Sequence, residues 1–261
     1  DLIVLKKEIL VKPPMESDKT VLLPMPKDTR AKIIPLTSND EDAIVFLYSY
    51  NGWSLLGRML QNICDNYLDM NDEPVKLKRR EILIAIIDLV TQVVGKDTPI
   101  ERSTEILQHL SGYVSDDDIV SVIFKIFEQA LQFRDFPVLC SGLKLLVALI
   151  PNFSHFVWSY LARSGLIARN GKGGLAATIL GTTELTNGKY DFTIILIELV
   201  NQLVTESVTL ETDFPDRMKK DILGRFTSHL LNVYESYQYW KYTSFFQRFK
   251  IGSSLTSLFT N

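Results

Sequence analysis

The sequence is poor in the residues that usually carry chemistry. Its 261 residues include only two cysteines and three histidines. Cys64 and Cys140 lie far apart in apolar helical stretches, which favours buried, reduced thiols over the disulfide framework of a small secreted protein. The histidines are isolated from one another: His109, His155 and His229. His109 has Glu105 four residues before it, but a single such pair is common on protein surfaces. We therefore expect no zinc site, because such a site needs three or four converging ligands.

Catalytic motifs are also missing. The sequence contains no GxSxG nucleophile elbow. Gly171–Gly174 has a lysine between glycines but does not match the phosphate-binding loop GxxxxGK followed by Ser or Thr, so a flexible joint is the better interpretation. Asp116–Asp118 could hold a divalent cation, yet its place directly behind Ser115 is typical of a helix N-terminus. The sequence predicts no enzyme, no catalytic residues, no cofactor and no metal.

Charge and hydrophobicity argue against two further classes. Lys and Arg total 28 against 31 Asp and Glu, a net charge of −3, so the chain has no general attraction to nucleic acid or anionic lipid. The basic cluster Lys76–Arg80 lies beside Asp72 and Glu73, which indicates a solvated, partly paired face. Apolar runs such as Leu143–Ile150 are too short for a membrane span and fit core helices. We expect no small-molecule substrate, no direct nucleic-acid contact and no membrane span.

Residues 1–48 differ in composition and hydrophobic pattern from the rest of the chain. Short apolar, β-rich runs such as Leu2–Leu5 and Val21–Leu23 alternate there with prolines, and half of the ten prolines lie in this stretch. Short strands separated by such breaks are typical of a small β-barrel or part of one. We therefore place a domain boundary after residue 48.

Residues 49–261 are predicted to be a helical series. From Gly52 onward apolar residues recur with the helical period, and Thr98–Glu101 combines an N-cap hydroxyl, a proline and a glutamate placed for a capping box. Later helices are predicted from Asp135–Pro137 to Pro151, from Asp191 to about Val208, from Phe214 to Tyr237 and from Phe245 to Phe259. Short joints between amphipathic helices favour a mostly α fold, an irregular α-solenoid of HEAT or armadillo-like pairs.

The densest group of aromatic residues lies near the C-terminal end of the sequence, from Tyr234 to Phe249. One interpretation is packing between two helices across a bend. The other is a groove that binds a partner peptide, since aromatic residues are enriched at such surfaces. The candidate partner-binding residues are Tyr237, Tyr239, Trp240, Tyr242 and Phe246.

Several strings in the helical part resemble one protein family. They are Tyr50–Leu60, Trp158–Leu166, Ile179–Glu184, Gly188–Thr193, Tyr237–Tyr242 and Gln247–Gly252. In order and spacing they are similar to the large helical scaffold nucleoporins of the nuclear pore's inner ring. The class known by a mass near 188 kDa fits best, and its sister class of 192 or 205 kDa comes second.

The resemblance implies a structural function. It implies an inner-ring scaffold at the nuclear envelope that holds other nucleoporins and supports nucleocytoplasmic transport. It also implies that residues 1–48 belong to an SH3-like insertion in the solenoid, although Asp28 and Ala31 depart from the glycine-containing turn expected there. The family has no catalytic residues to carry over.

A second function class uses the same stacked helices. A nuclear transport receptor of the HEAT type, or another helical-repeat adaptor, would bind peptide segments or Phe-Gly motifs along such a surface. The absence of regular repeats and the β-rich insertion favour the scaffold interpretation.

Overall fold

The described part of the chain is mostly α-helical. The computed structural model describes residues 52–67, 73–95, 98–112, 118–166, 183–209 and 214–260. Its helices are α1 (Gly52–Asp65), α2 (Glu73–Val94), α3 (Ile100–Ser111), α4 (Ile119–Phe133), α5 (Phe136–Leu161), α6 (Asp191–Thr209), α7 (Asp216–Ser236) and α8 (Phe245–Thr260). Residues 183–187 are also helical, and Tyr237–Tyr239 forms a 3-10 turn. The predicted β-rich residues 1–48, the cap at Ser115 and the joint Gly171–Gly174 lie outside the described residues.

The chain divides into two compact units, and the described residues of the first are 52–59 together with residues 101–112, 118 and 119. Within this unit, the start of α1 lies directly against α3. Ser54 Oγ donates a hydrogen bond of 2.8 Å to the carbonyl oxygen of His109. A Cβ atom at Gly57 would collide with the backbone of Leu110, so only glycine permits this approach.

The second unit, Leu60–Ile100 with Val120–Asn261, is organised around α5. This helix packs against α2 on the one hand and α6 on the other. Gly142 allows α5 to approach the Phe127 ring of α4, because any side chain at that position would overlap the ring. Leu139, Leu143 and Leu145 of α5 are almost completely buried, and Leu145 lies on a different face of the helix from the other two. Apolar side chains on several faces of α5 therefore form the core, as expected of a helix that is covered by neighbours.

By length and composition α5 could cross a membrane, and it is the one helix of the described residues with that property. However, 56% of its most apolar window is already buried inside the protein. The core helix of a globular unit has the same composition, and the packing against α2 and α6 accounts for it.

The predicted helix end at Pro151 is confirmed to within two residues, because a kink at Phe153 separates two helical stretches. Helical residues continue from Phe136 to Leu161, and the backbone leaves helical geometry only at Phe153, with φ −136° and ψ 35°. Pro151 lies just before this kink, and a proline inside a helix removes one backbone hydrogen bond and crowds the preceding turn, which kinks or ends the helix. The chain therefore bends beside Pro151 and resumes helical geometry, which continues to Leu161 as the last part of α5.

The joint that follows α5 is held by a carboxylate from α4. Glu128 accepts hydrogen bonds from Tyr160 Oη (2.6 Å), from Ser164 Oγ and from the backbone N–H of Gly165. Burial and the adjacent Glu128 carboxylate raise the pKa of Tyr160 well above its ordinary value. This arrangement fixes the joint that follows Trp158, one of the strings that carry the family resemblance.

The last three helices meet around α6. It contacts α7 and, more extensively, α5 and α8. The predicted limits of these helices agree with the observed ones to within two residues: α6 ends at Thr209, α7 spans Asp216–Ser236 and α8 spans Phe245–Thr260. The segment between α7 and α8 is the bend that contains most of the aromatic residues.

Candidate functional site

The bend between α7 and α8 is built on one buried tyrosine. Tyr190 is 1% exposed, and its ring lies 4.9 Å from that of Trp240 and 4.8 Å from that of Tyr242, measured between centroids. Its hydroxyl donates a 2.8 Å hydrogen bond to the carbonyl oxygen of Lys241, and Tyr242 Oη donates one of 2.6 Å to the carbonyl oxygen of Tyr237. These aromatic residues therefore pack across the bend, which is the first of the two predicted interpretations.

A glycine lets the bend approach the chain before α6. Gly188 has φ +68°, a region that favours glycine, and a Cβ there would lie 3.1 Å from the carbonyl oxygen of Lys241. Thr243 donates two hydrogen bonds of 2.9 Å to the Gly188 carbonyl oxygen, one from its backbone N–H and one from its hydroxyl. The two segments are thus joined through backbone groups.

Gln247 attaches α8 to the start of α6. Its Nε2 donates to Asp191 Oδ1 at 2.8 Å, and its Oε1 accepts from the backbone N–H of Tyr190 at 3.2 Å. One side chain therefore satisfies groups at the N-terminus of α6 while it orients the first turns of α8. The relative position of these two helices is fixed by several specific hydrogen bonds and not by apolar contact alone.

The aromatic residues on the outer side of the bend are exposed. The exposed fraction is 87% for Tyr239, 74% for Phe245, 72% for Phe246 and 74% for Phe249. The five predicted partner-binding residues therefore separate into two groups. Tyr237, Trp240 and Tyr242 are half-buried and pack within the bend, whereas Tyr239 and Phe246 are exposed.

Phe246 borders a cleft of about 590 Å³ between the start of α5, the segment that leads into α6, and the start of α8. The inner surface is largely apolar, and the Phe136 and Phe192 rings meet there edge to face at 6.3 Å. Three exposed lysines stand around it, one from each wall: Lys144, Lys189 and Lys250. The cleft is therefore an apolar surface bordered mainly by positive charge.

The buried carboxylate in this cleft serves the fold. Glu184 is 4% exposed and accepts hydrogen bonds from the backbone N–H groups of Phe192 (2.8 Å) and Thr193 (3.1 Å) and from the Thr193 hydroxyl. It thereby occupies the N-terminus of α6, where negative charge is favourable. Burial raises the pKa of Glu184 to about 7, although these hydrogen bonds oppose the rise.

The thiol in the cleft is not activated. Burial and the nearby carboxylates of Glu184 and Asp191 raise the pKa of Cys140 to about 12, so the thiol stays protonated at neutral pH. A nucleophilic cysteine needs the opposite, a lowered pKa. Within the described residues no group of three or more His, Cys, Asp or Glu could hold a metal ion.

The predicted basic cluster lies at a second, smaller cleft of about 230 Å³. Arg80 pairs with Asp135 at 3.8 Å, and Tyr67 Oη donates a 3.4 Å hydrogen bond to the same carboxylate. Burial and the Asp135 charge raise the pKa of Tyr67. Part of this basic cluster is thus engaged with a carboxylate.

Sequence reasoning did not identify the three lysines of the large cleft. They lie in separate segments, and no local pattern joins Lys144 to Lys189. The sequence does indicate that one lysine lies near Phe246, because Phe246 and Lys250 are four residues apart and therefore share a helix face.

Comparisons with known proteins identify the chain's relatives. A family model described as Nucleoporin Nup188, N-terminal subdomain III, matches residues 43–261. The chain is similar to Nucleoporin NUP188 of Saccharomyces cerevisiae, with 39% identity over 99% of this chain and 17% of that protein. It is also similar to Nucleoporin nup184 of Schizosaccharomyces pombe, with 26% identity over 90% of this chain and 15% of that protein. The chain thus spans less than a fifth of the length of either relative.

Proposed function

Because this chain belongs to the Nup188 family of nucleoporins, we propose that it is a helical segment of a scaffold protein in the inner ring of the nuclear pore complex. In this role it acts at the nuclear envelope, holds other nucleoporins in place and so supports nucleocytoplasmic transport. The observation that carries the proposal is the match of the Nup188 family model to residues 43–261.

The contacts among the described residues support a structural role. Hydrogen-bonded joints such as Gln247 with Asp191 and Glu128 with Gly165 hold successive helices in fixed positions. The cleft beside Phe246 contains a protonated thiol and a carboxylate that is already engaged, so it offers surface and charge in place of a reactive group. A scaffold needs such rigid, non-reactive surfaces.

We propose further that residues 49–261 are part of an irregular α-solenoid and that residues 1–48 belong to an SH3-like insertion. The first proposal is supported by the packing of α6 on α5, α7 and α8. The second is supported by the sequence pattern alone. If both hold, deletion of residues 1–48 leaves the helical circular-dichroism signal of the remaining chain intact, whereas loss of helicity would mean that the two parts share a core.

The scaffold function can be tested in living cells with a fluorescent full-length protein that contains this segment. A scaffold protein gives a nuclear-rim signal that recovers slowly after photobleaching, because it is held by many contacts. A transport receptor recovers quickly and binds immobilised Phe-Gly peptides. Rapid recovery together with saturable Phe-Gly binding would contradict the proposal, as would absence from the nuclear rim.

A further inference from the structure

The cleft beside Phe246 has the size and composition of a docking site. Its volume of about 590 Å³ lies within the usual range for pockets that hold a ligand or a few side chains. Apolar side chains from two helices form its inner surface, including Phe136 of α5 and Ile195 of α6. Such a surface gains free energy when an apolar side chain displaces water from it.

Phe246 adds an exposed anchor at the edge of this cleft. Its ring is 72% exposed, whereas the aromatic residues of the adjacent bend, Trp240 and Tyr242, are half-buried against Tyr190. Aromatic residues beside a pocket are typical of the few positions that dominate binding energy at protein interfaces. Phe249 lies on the same helix with a similar exposure of 74% but does not border the cleft. The two phenylalanines therefore form a matched pair.

The charges around the cleft select the partner. Lys144, Lys189 and Lys250 are exposed, and none of them forms an ion pair within the described residues. The two negatively charged residues of the cleft are already engaged: Asp191 accepts a hydrogen bond from Gln247, and Glu184 is buried at the N-terminus of α6. The rim is therefore positive, and electrostatic complementarity favours an acidic partner.

The cleft is preformed. Gln247 and Thr243 connect α8 and the bend to residues 188–191 by four hydrogen bonds of 2.8–3.2 Å. Gly188 permits the close approach on which these bonds depend. A partner would thus meet walls that are already in place, and little binding energy would be lost to ordering them.

We propose that this cleft docks an acidic amphipathic peptide segment of another protein. One apolar side chain of the segment enters the cleft against Phe246, and its carboxylates pair with Lys144, Lys189 and Lys250. This inference rests on the proposed scaffold function and names the chemical class of one partner. An uncharged Phe-Gly segment satisfies the apolar cleft but not the three lysines.

The test uses the 261-residue chain and fluorescence anisotropy. The probes are labelled synthetic peptides of about three helical turns, with one central Leu or Phe and Glu at varied helical spacings. Matched peptides replace every Glu by Gln or the central residue by Ser. We expect saturable binding of at least one acidic peptide. Its affinity should fall about tenfold when Glu is replaced by Gln, and it should weaken with added salt.

Variants of the protein locate the binding site. Phe246→Ala and the triple variant Lys144→Gln, Lys189→Gln, Lys250→Gln should each weaken binding about tenfold or more. The matched controls are Phe249→Ala and the triple variant Lys78→Gln, Lys125→Gln, Lys220→Gln, whose lysines are exposed elsewhere. These controls should bind as the unmodified chain does. Unfolding midpoints, measured for all four, separate loss of binding from loss of structure.

Several results would overturn the inference. They are failure of all the acidic peptides to bind, equal binding of the Gln peptides, an equal effect of Phe246→Ala and Phe249→Ala, and competition by a Phe-Gly peptide or an oligonucleotide for the same site. Failure of this experiment is distinguishable from failure of the scaffold function, because nuclear-rim localisation and slow exchange do not depend on this cleft alone.

Discussion

Two tryptophans of the second unit are held in different ways. Trp158 is fully buried, and its Nε1 donates a 2.8 Å hydrogen bond to Glu206 of α6. Lys219 of α7 lies 3.8 Å from the same carboxylate and 5.7 Å from the indole ring. Trp240, in contrast, is half-buried and stacks on Tyr190 within the bend before α8. The first residue joins three helices through buried charge, and the second stabilises a bend at the surface.

The difference shows what each region contributes. A buried ion pair gains little net stability, because both charges lose water, and we infer that here it selects one arrangement of the helices that carry it. The bend achieves its geometry with neutral hydrogen bonds and stacked rings, and it leaves four aromatic side chains exposed beside it. We infer that the Trp158 region determines how the helices pack, while the bend presents a surface for contact.

Trp158→Ala is expected to have the largest effect. Loss of a fully buried indole costs about 3–5 kcal/mol, and this substitution also removes the donor to Glu206. We therefore expect a free-energy loss of about 5 kcal/mol, measured by denaturant unfolding. Trp158→Phe is the matched control and should cost less, since it keeps an aromatic ring. A midpoint unchanged by Trp158→Ala would contradict the assigned role.

Lys219→Met tests the buried charge itself. Removal of one partner leaves the Glu206 carboxyl group in the core without its cation, which typically costs about 3–5 kcal/mol. The double variant Lys219→Met, Glu206→Gln should recover much of that loss, because no uncompensated charge remains. Unfolding free energies of the unmodified chain, Lys219→Met, Glu206→Gln and the double variant form a thermodynamic cycle. Strict additivity in this cycle would mean that the two side chains are not coupled.

Much of the helical architecture follows from the sequence, for identifiable reasons. The limits of α7 and α8 are predicted to within two residues because prolines, polar joints and the helical period all mark the same positions. Pro151 likewise marks the kink of α5 to within two residues, because a proline inside a helix removes one hydrogen bond and crowds the preceding turn.

The candidate site was predictable only in part. The sequence reveals a concentration of aromatic residues, but the burial of Trp240 and Tyr242 depends on where Tyr190 lies, about fifty residues earlier in the chain. The positive rim of the cleft is even harder to predict from the sequence, because Lys144, Lys189 and Lys250 come from three segments that only the fold brings together. Nothing in the local spacing encodes that proximity.

Glu184 should make the free energy of unfolding depend on pH. Its pKa rises from an ordinary value of 4.5 to about 7 in the folded chain, so the folded state binds more protons between these values. Its contribution to stability therefore decreases as the pH rises from about 4.5 to about 7, by about 3 kcal/mol in total. Glu184→Gln should remove this component. The check is the difference between unfolding free energies of the two proteins across that range; a difference that does not change with pH would contradict the assignment.

Trp240→Ala should have a smaller effect than Trp158→Ala. Its ring is half-buried and stacks on Tyr190, so we expect a loss of about 2 kcal/mol, roughly half the value for a fully buried indole. Denaturant unfolding of both variants under the same conditions provides the comparison. An effect of Trp240→Ala as large as that of Trp158→Ala would mean that the bend belongs to the core.

The most direct test of this division between core and contact surface is the unfolding midpoint of the triple variant Phe245→Ala, Phe246→Ala, Phe249→Ala. All three rings are more than 70% exposed. Exposed side chains contribute little to folding, so we expect each substitution to change the free energy of unfolding by no more than about 0.5 kcal/mol. The triple variant should therefore retain nearly the midpoint of the unmodified chain, far above that of Trp158→Ala. A loss comparable to that of Trp158→Ala would show that these rings serve the core, and the account of the bend as a contact surface would be wrong.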